Sequence, residues 1–141
     1  SITATGRAVF NKEVATGSGD DTLSFAAVEF KDNLILGDGN TSITATDSAL
    51  FSGVVTTGSG DDTLSFAEVE FKDSLTLGYG NNSIRATGSA FFEQSVTTGS
   101  GEDIFEFKDV YFKNDLNLGD GNDDITIAGN AIFYSVGWNV S

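Results

Sequence analysis

Cysteine, proline, methionine and histidine do not occur in this chain. Without cysteine there is no disulfide framework, no thiol nucleophile and no thiolate metal site. Without histidine the commonest general base and the commonest transition-metal ligand are missing. Positive charge is scarce: 7 basic residues face 21 acidic ones, for a net charge of -14. Nucleic acid needs a basic surface, and so does an anionic membrane; cations are the expected partners instead. No apolar run approaches the roughly 18 residues of a membrane helix, so membrane insertion is not expected. No stretch reads as a signal peptide. The lack of methionine even at position 1 points to a fragment or a processed product.

What the chain has is repetition. TGSGDDTLSF at 16–25 returns at 57–66 and, altered, as TGSGEDIFEF at 98–107. A second version, LGDGNTSIT at 36–44, returns as LGYGNNSIR at 77–85 and LGDGNDDIT at 118–126. The first glycine of each copy stands at 17, 37, 58, 78, 99 and 119, so the spacing alternates between 20 and 21 residues. A fixed period of this size is the mark of a solenoid.

The apolar residues fall into columns along this repeat. Ile2, Leu23, Ile43, Leu64, Ile84, Phe105 and Ile125 form the first. Ala4, Phe25, Ala45, Phe66, Ala86, Phe107 and Ile127 form the second, small alternating with large. Ala8, Val28, Ala49, Val69, Ala90, Val110 and Ala131 form the third. The fourth is an unbroken phenylalanine ladder: Phe10, Phe30, Phe51, Phe71, Phe92, Phe112 and Phe133. Two more begin at Val14 and Thr16 and alternate Val with Leu and Thr with Leu. Within a coil the columns pair two residues apart, as Leu23 and Phe25 do around Ser24, and period two means strand. Each coil therefore reads as three short strands. Its bends are the glycine turn, a break near Ala26 or Thr46-Asp47, and a break at Lys31-Asp32 or Ser52-Gly53.

The predicted fold is all-β: one right-handed parallel β-solenoid over residues 1–141, with about seven coils of 20–21 residues. Bulky side chains on every level would collide inside a narrow prism, so alternating Ala and Phe accounts for the double repeat by core volume alone. Gly137 falls where Val or Leu is expected, and Ser1-Ile2 begins directly in strand register. The tail reads as a weak cap, or as the start of a different coil in a longer array.

The turns carry the chemistry. Their glycines permit positive φ and close approach of neighbouring backbones, with carbonyls expected to face outward along the edge of the stack. Carbonyl and carboxylate oxygens together suit calcium, which takes about six to eight oxygens. The candidate ligands are Gly17, Gly19, Asp20 and Asp21; Gly37, Asp38 and Gly39; Gly58, Gly60, Asp61 and Asp62; Gly78, Gly80 and Asn82; Gly99, Gly101, Glu102 and Asp103; and Gly119, Asp120, Gly121 and Asp123. Thr41 and Asn82 are neutral at the Asp position and predict weaker gaps. The same residues would also serve as tight corners with a metal-free Asp/Asn ladder.

The turn resembles the calcium-binding nonapeptide of RTX proteins, G-G-x-G-x-D-x-U-x, with U a large apolar residue. Thr16 stands for the first glycine, and Gly17, Gly19, Asp21 and Leu23 match the later positions. Gly58, Gly60, Asp62 and Leu64 repeat the match, as do Gly99, Gly101, Asp103 and Phe105. RTX β-rolls carry such turns on two sides of a shorter coil; one turn per coil is closer to the single-row solenoids of large bacterial surface adhesins. The resemblance implies ions held between turns of adjacent coils, and a secreted or cell-surface protein. The expected function is a calcium-stabilised structural or extension repeat without catalysis. The alternative is an accessory module of a secreted enzyme that aids folding, secretion or carbohydrate contact. A row of Ala15, Ile35, Thr56, Thr76, Thr97 and Asn117 suggests ice binding only faintly, because Ala and Ile break it. Every carboxylate pair sits in a repeated turn, whereas an active site breaks its repeat. A second outward row, Val9, Glu29, Leu50, Glu70, Phe91, Tyr111 and Ile132, is apolar on alternate levels. It reads as scattered apolar surface, or as a contact with a neighbouring repeat or a surface or carbohydrate partner.

Overall fold

The computed structural model describes residues 1–134 and 138–139, which form an all-β parallel solenoid of about seven coils. Long and two-residue strands alternate along the chain: β1 (Ile2–Phe10), β2 (Val14–Ala15), β3 (Asp21–Phe30), β4 (Leu34–Ile35), β5 (Thr41–Phe51), β6 (Val55–Thr56), β7 (Thr63–Phe71) and β8 (Leu75–Thr76). The series continues with β9 (Ser83–Phe92), β10 (Val96–Thr97), β11 (Ile104–Phe112), β12 (Leu116–Asn117), β13 (Asp124–Ile127), β14 (Ala131–Phe133) and β15 (Trp138–Asn139). The long strands stack in chain order into one parallel sheet, in which β11 pairs with both β13 and β14. The short strands form a second sheet from β2 to β12, with β15 at its end.

The predicted columns are the observed register. Ile2 pairs with Leu23, Leu23 with Ile43 and Ile43 with Leu64, and the Ala/Phe, Ala/Val and phenylalanine columns keep the same step. One expectation needs refining. In every coil but the last the first two strands are a single strand, and the break near Ala26 or Thr46-Asp47 is a register shift within it, between Phe25 and Val28 or between Ala45 and Ser48; the last coil keeps them apart as β13 and β14. The coils with Ala in the second column carry the extra residue there, so a bulge in the long strand absorbs the 20/21 alternation. At the far end Trp138, not the expected position 137, lies opposite Leu116. Gly137 itself lies outside the described residues.

The core follows from these columns. Phe30, Phe51, Phe71 and Phe92 are essentially inaccessible, and their rings stack nearly parallel. Centroid spacings alternate: 4.7 Å for Phe10–Phe30, 5.3 Å for Phe30–Phe51, 4.7 Å for Phe51–Phe71 and 5.3 Å for Phe71–Phe92. Each close pair receives one edge-on ring from the second column. Phe66 meets Phe51 at 5.9 Å and Phe71 at 6.1 Å, with interplanar angles of 70° and 75°. Ala45 and Ala86 above and below leave room for it. Edge-to-face contacts add to area burial, so the small–large alternation sets aromatic geometry as well as volume. Arg85 lies 3.9 Å from Glu106 on the next coil; an exposed pair of this kind contributes little.

Candidate metal centre

The glycine corners line up along one edge of the stack. The second glycine of every turn has positive φ, from 114° at Gly19 to 156° at Gly121. Its N–H donates to the next coil: Gly39 to Ser59 O at 2.7 Å, Gly60 to Tyr79 O at 2.8 Å and Gly80 to Ser100 O at 3.0 Å. The glycine carbonyls press against the glycines of the following coil. A Cβ on Gly37 would lie 2.5 Å from Gly17 O, and one on Gly78 would overlap Gly58 O. Tight stacking of backbone on backbone therefore requires glycine here whatever else the turn does.

Two side-chain ladders flank this corner and run in opposite directions. The outer one is exposed. Asp20 Oδ1 accepts from Asn40 N at 2.9 Å, Asn40 Oδ1 from Asp61 N at 2.9 Å, Asp61 Oδ1 from Asn81 N at 2.7 Å and Asn81 Oδ1 from Glu102 N at 2.8 Å. The inner one is buried and reaches back one coil. Asp62 Oδ1 accepts from Thr41 N at 2.9 Å, Asn82 Oδ1 from Asp62 N at 3.2 Å, Asp103 Oδ1 from Asn82 N at 2.9 Å and Asp123 Oδ1 from Asp103 N at 3.0 Å. Thr41, Asp62, Asn82 and Asp103 are all at most 2% exposed. The acidic position thus faces inward, under the corner. The period-two pattern carried this signal: Asp21 is in phase with Leu23 and Phe25, and Asp20 is out of phase.

The expected ligands therefore separate into two groups. Asp20 and Asp61 hold the backbone of the next coil, and Asp38 does the same by accepting from Ser59 N and Oγ. Those Ser59 bonds hold the Asp38 carboxyl below the ordinary carboxylate range. Glu102 and Asp120 are exposed, and the Tyr79 ring projects outward at 68% exposure. Asp62, Asn82, Asp103 and Asp123 come together with the glycines beneath the corner. Among the described residues no three carboxylates converge, so backbone carbonyls would supply most ligands of any ion.

Asn82 shows how the glycine carbonyls of one corner are satisfied. Its Nδ2 donates to Gly78 O at 3.2 Å and to Gly80 O at 3.1 Å, the two glycine carbonyls of its own turn. Asp103 places Oδ1 as Asn82 does, on the N–H of the preceding coil. Its second oxygen is then the counterpart of that Nδ2, but it cannot donate. Asp103 Oδ2 and Asp123 Oδ2 are both buried without a hydrogen-bond partner. An orphaned buried carboxylate oxygen is costly, and a cation relieves it. The donor set is all oxygen, which suits calcium and not a soft metal.

Asp62 finds a different solution. Thr57 Oγ1 donates to its Oδ2 at 2.5 Å, whereas the equivalent Thr98 Oγ1 turns away to Leu118 O at 2.7 Å and leaves Asp103 alone. These threonines were read from the sequence only as core-column residues. Their regular place five residues before Asp62 and Asp103 was the available signal. Burial is the largest influence on Asp62 and raises its pKa, against the Thr57 bond that lowers it. Between the ordinary value of 3.8 and the raised folded value, the folded chain binds more protons than the unfolded one. Stability should therefore fall as pH rises through that window, opposite to the usual carboxylate trend. In EGTA, melts from pH 4 to 7.5 should show a weaker fall for Asp62→Asn than for the parent chain. Superimposable pH profiles would remove Asp62 as the cause.

No family model, curated protein or solved structure matches this chain.

Proposed function

We propose that this chain is a calcium-stabilised structural repeat, an extension segment of a secreted or cell-surface protein, and that it performs no catalysis. The observation that carries the reading is the pair of buried, unpartnered oxygens on Asp103 and Asp123, at the position where Asn82 uses an amide to bridge two glycine carbonyls. Asp103 and Asp123, with the carbonyls of Gly99, Gly101, Gly119 and Gly121, would hold the ion. Its charge would offset two carboxylates buried on adjacent levels. Binding to the folded state alone stabilises it by mass action. A rod whose coils are locked by ions from the medium suits a spacer outside the cell, where calcium is abundant. The shared repeat supports a scaffold role, because the adjacent acid pairs of the sequence recur with the turn.

Calorimetric calcium titration with ion counting, together with melts in calcium and in EGTA, tests this. The melting temperature is expected to rise with calcium. Asp103→Asn is expected to keep the fold and lose much of the response, since the amide can make the bonds that Asn82 makes. An unchanged circular dichroism spectrum and melting point in excess EGTA would refute the calcium role.

A further inference from the structure

The outward row of the long strands changes character along the stack. Up to Glu70 it alternates apolar and acidic residues; from Phe91 it continues as Phe91, Tyr111 and Ile132. Tyr111 lies in register with both Phe91 and Ile132. The Phe91 and Tyr111 ring centroids are 5.5 Å apart at 35°, and those of Tyr111 and Tyr134 are 5.8 Å apart at 42°. Phe91 is 47% exposed and Tyr134 72%. These rings step across the surface instead of stacking flat like the inner ladder. Beside them runs an open groove of about 430 Å³, and its opposite wall is the bulge column of Ser89, Asp109 and Asn130. Asp109 Oδ1 accepts from Asn130 N at 2.8 Å and Nδ2 at 3.0 Å. Those bonds hold the carboxyl below its ordinary range, so it is an ionised acceptor at neutral pH. Among the described residues no lysine or arginine lines the groove.

We infer that this groove binds a neutral, linear polysaccharide along the solenoid axis, with sugar rings on Phe91, Tyr111 and Tyr134 and hydroxyls on the Asp109–Asn130 wall. A pyranose presents a C–H face to an aromatic ring and a rim of hydroxyl donors, which matches an aromatic floor beside a fixed carboxylate. Ring spacings of 5.5 and 5.8 Å are close to the length of one sugar unit. An extended peptide repeats its same-face side chains every ~6.6–6.8 Å, and a polyproline helix turns every ~9 Å. Neither matches the floor, and β9 and β11 are already paired on both sides, so a peptide could join neither of them as a further strand. A polyanion would meet Asp109 and a net charge of -14. A second copy of this chain would bury one ionised Asp109 against a surface of like charge.

The test is calorimetric titration of the calcium-loaded chain with cellohexaose, mannohexaose and chitohexaose, and with oligogalacturonate as an anionic control. At least one neutral hexasaccharide should bind saturably, at least tenfold more weakly to Tyr111→Ala and less tightly to Asp109→Asn, while oligogalacturonate does not bind. Circular dichroism confirms the fold of each variant, and Phe91→Ala replaces Tyr111→Ala should that variant not fold. Absence of binding by all three neutral sugars at millimolar concentration overturns the inference, as does binding that Tyr111→Ala or Phe91→Ala leaves unchanged. Sedimentation reads the competing outcome: self-association abolished by Phe91→Ala, without sugar binding, would make the face a contact between copies. Because the groove lies on the long-strand sheet and not at the glycine corner, failure here leaves the calcium reading intact.

Discussion

Phe71→Ala is expected to destabilise the chain by ~3–5 kcal/mol, the usual range for removing a buried phenyl ring. The side chain is 1% exposed and has ring neighbours on three sides. Phe51 stacks on it at 4.7 Å, Phe92 at 5.3 Å, and Phe66 meets it edge-on at 6.1 Å. Truncation therefore leaves a cavity and also removes three aromatic contacts. In a solenoid each coil is stabilised only by its neighbours, so a void in a central coil weakens the interfaces above and below it together. Denaturant unfolding at saturating calcium measures the effect. A loss below about 1 kcal/mol would mean that the phenylalanine ladder does not hold the stack.

Gly78→Ala is expected to cost at least ~3 kcal/mol, the upper end for overpacking, because the obstacle is backbone and cannot rotate away. The new Cβ would overlap Gly58 O and lie 2.6 Å from Gly58 C. Gly17 supplies the internal control. It holds the same motif position in the first turn, and a Cβ there would meet nothing within 4 Å. Gly17→Ala should therefore shift the melting point little. If the two substitutions cost the same, stacking clash is not the reason for the glycines and a role common to all turns takes its place.

The architecture was legible because one repeat length governs every level. Phe10, Phe30, Phe51 and their successors are spaced so that only stacked coils bring them together, and alternation in Leu23-Ser24-Phe25 settles which face turns inward. The number of strands per coil was less legible. A bend near Ala26 that bulges within one strand has the same composition as a bend that ends it. The turn was half legible. Its glycines were evident, but adjacent acids such as Asp61 and Asp62 look alike in sequence and differ completely in place, one exposed on the outer ladder and one sealed beneath the corner.

By itself the sequence determined the parallel solenoid, its register and the composition of its core, since apolar columns at fixed period can be buried in only one way. Tertiary structure alone decided which oxygens remain available to a cation. Within its own turn Thr57 satisfies Asp62, and Asp103 and Asp123 are each left with one buried oxygen unpaired; hydrogen bonds between coils occupy Asp20, Asp38 and Asp61. Such bonds join residues about twenty positions apart, and their direction depends on the side of the corner each side chain occupies. A list of motif positions does not contain that information.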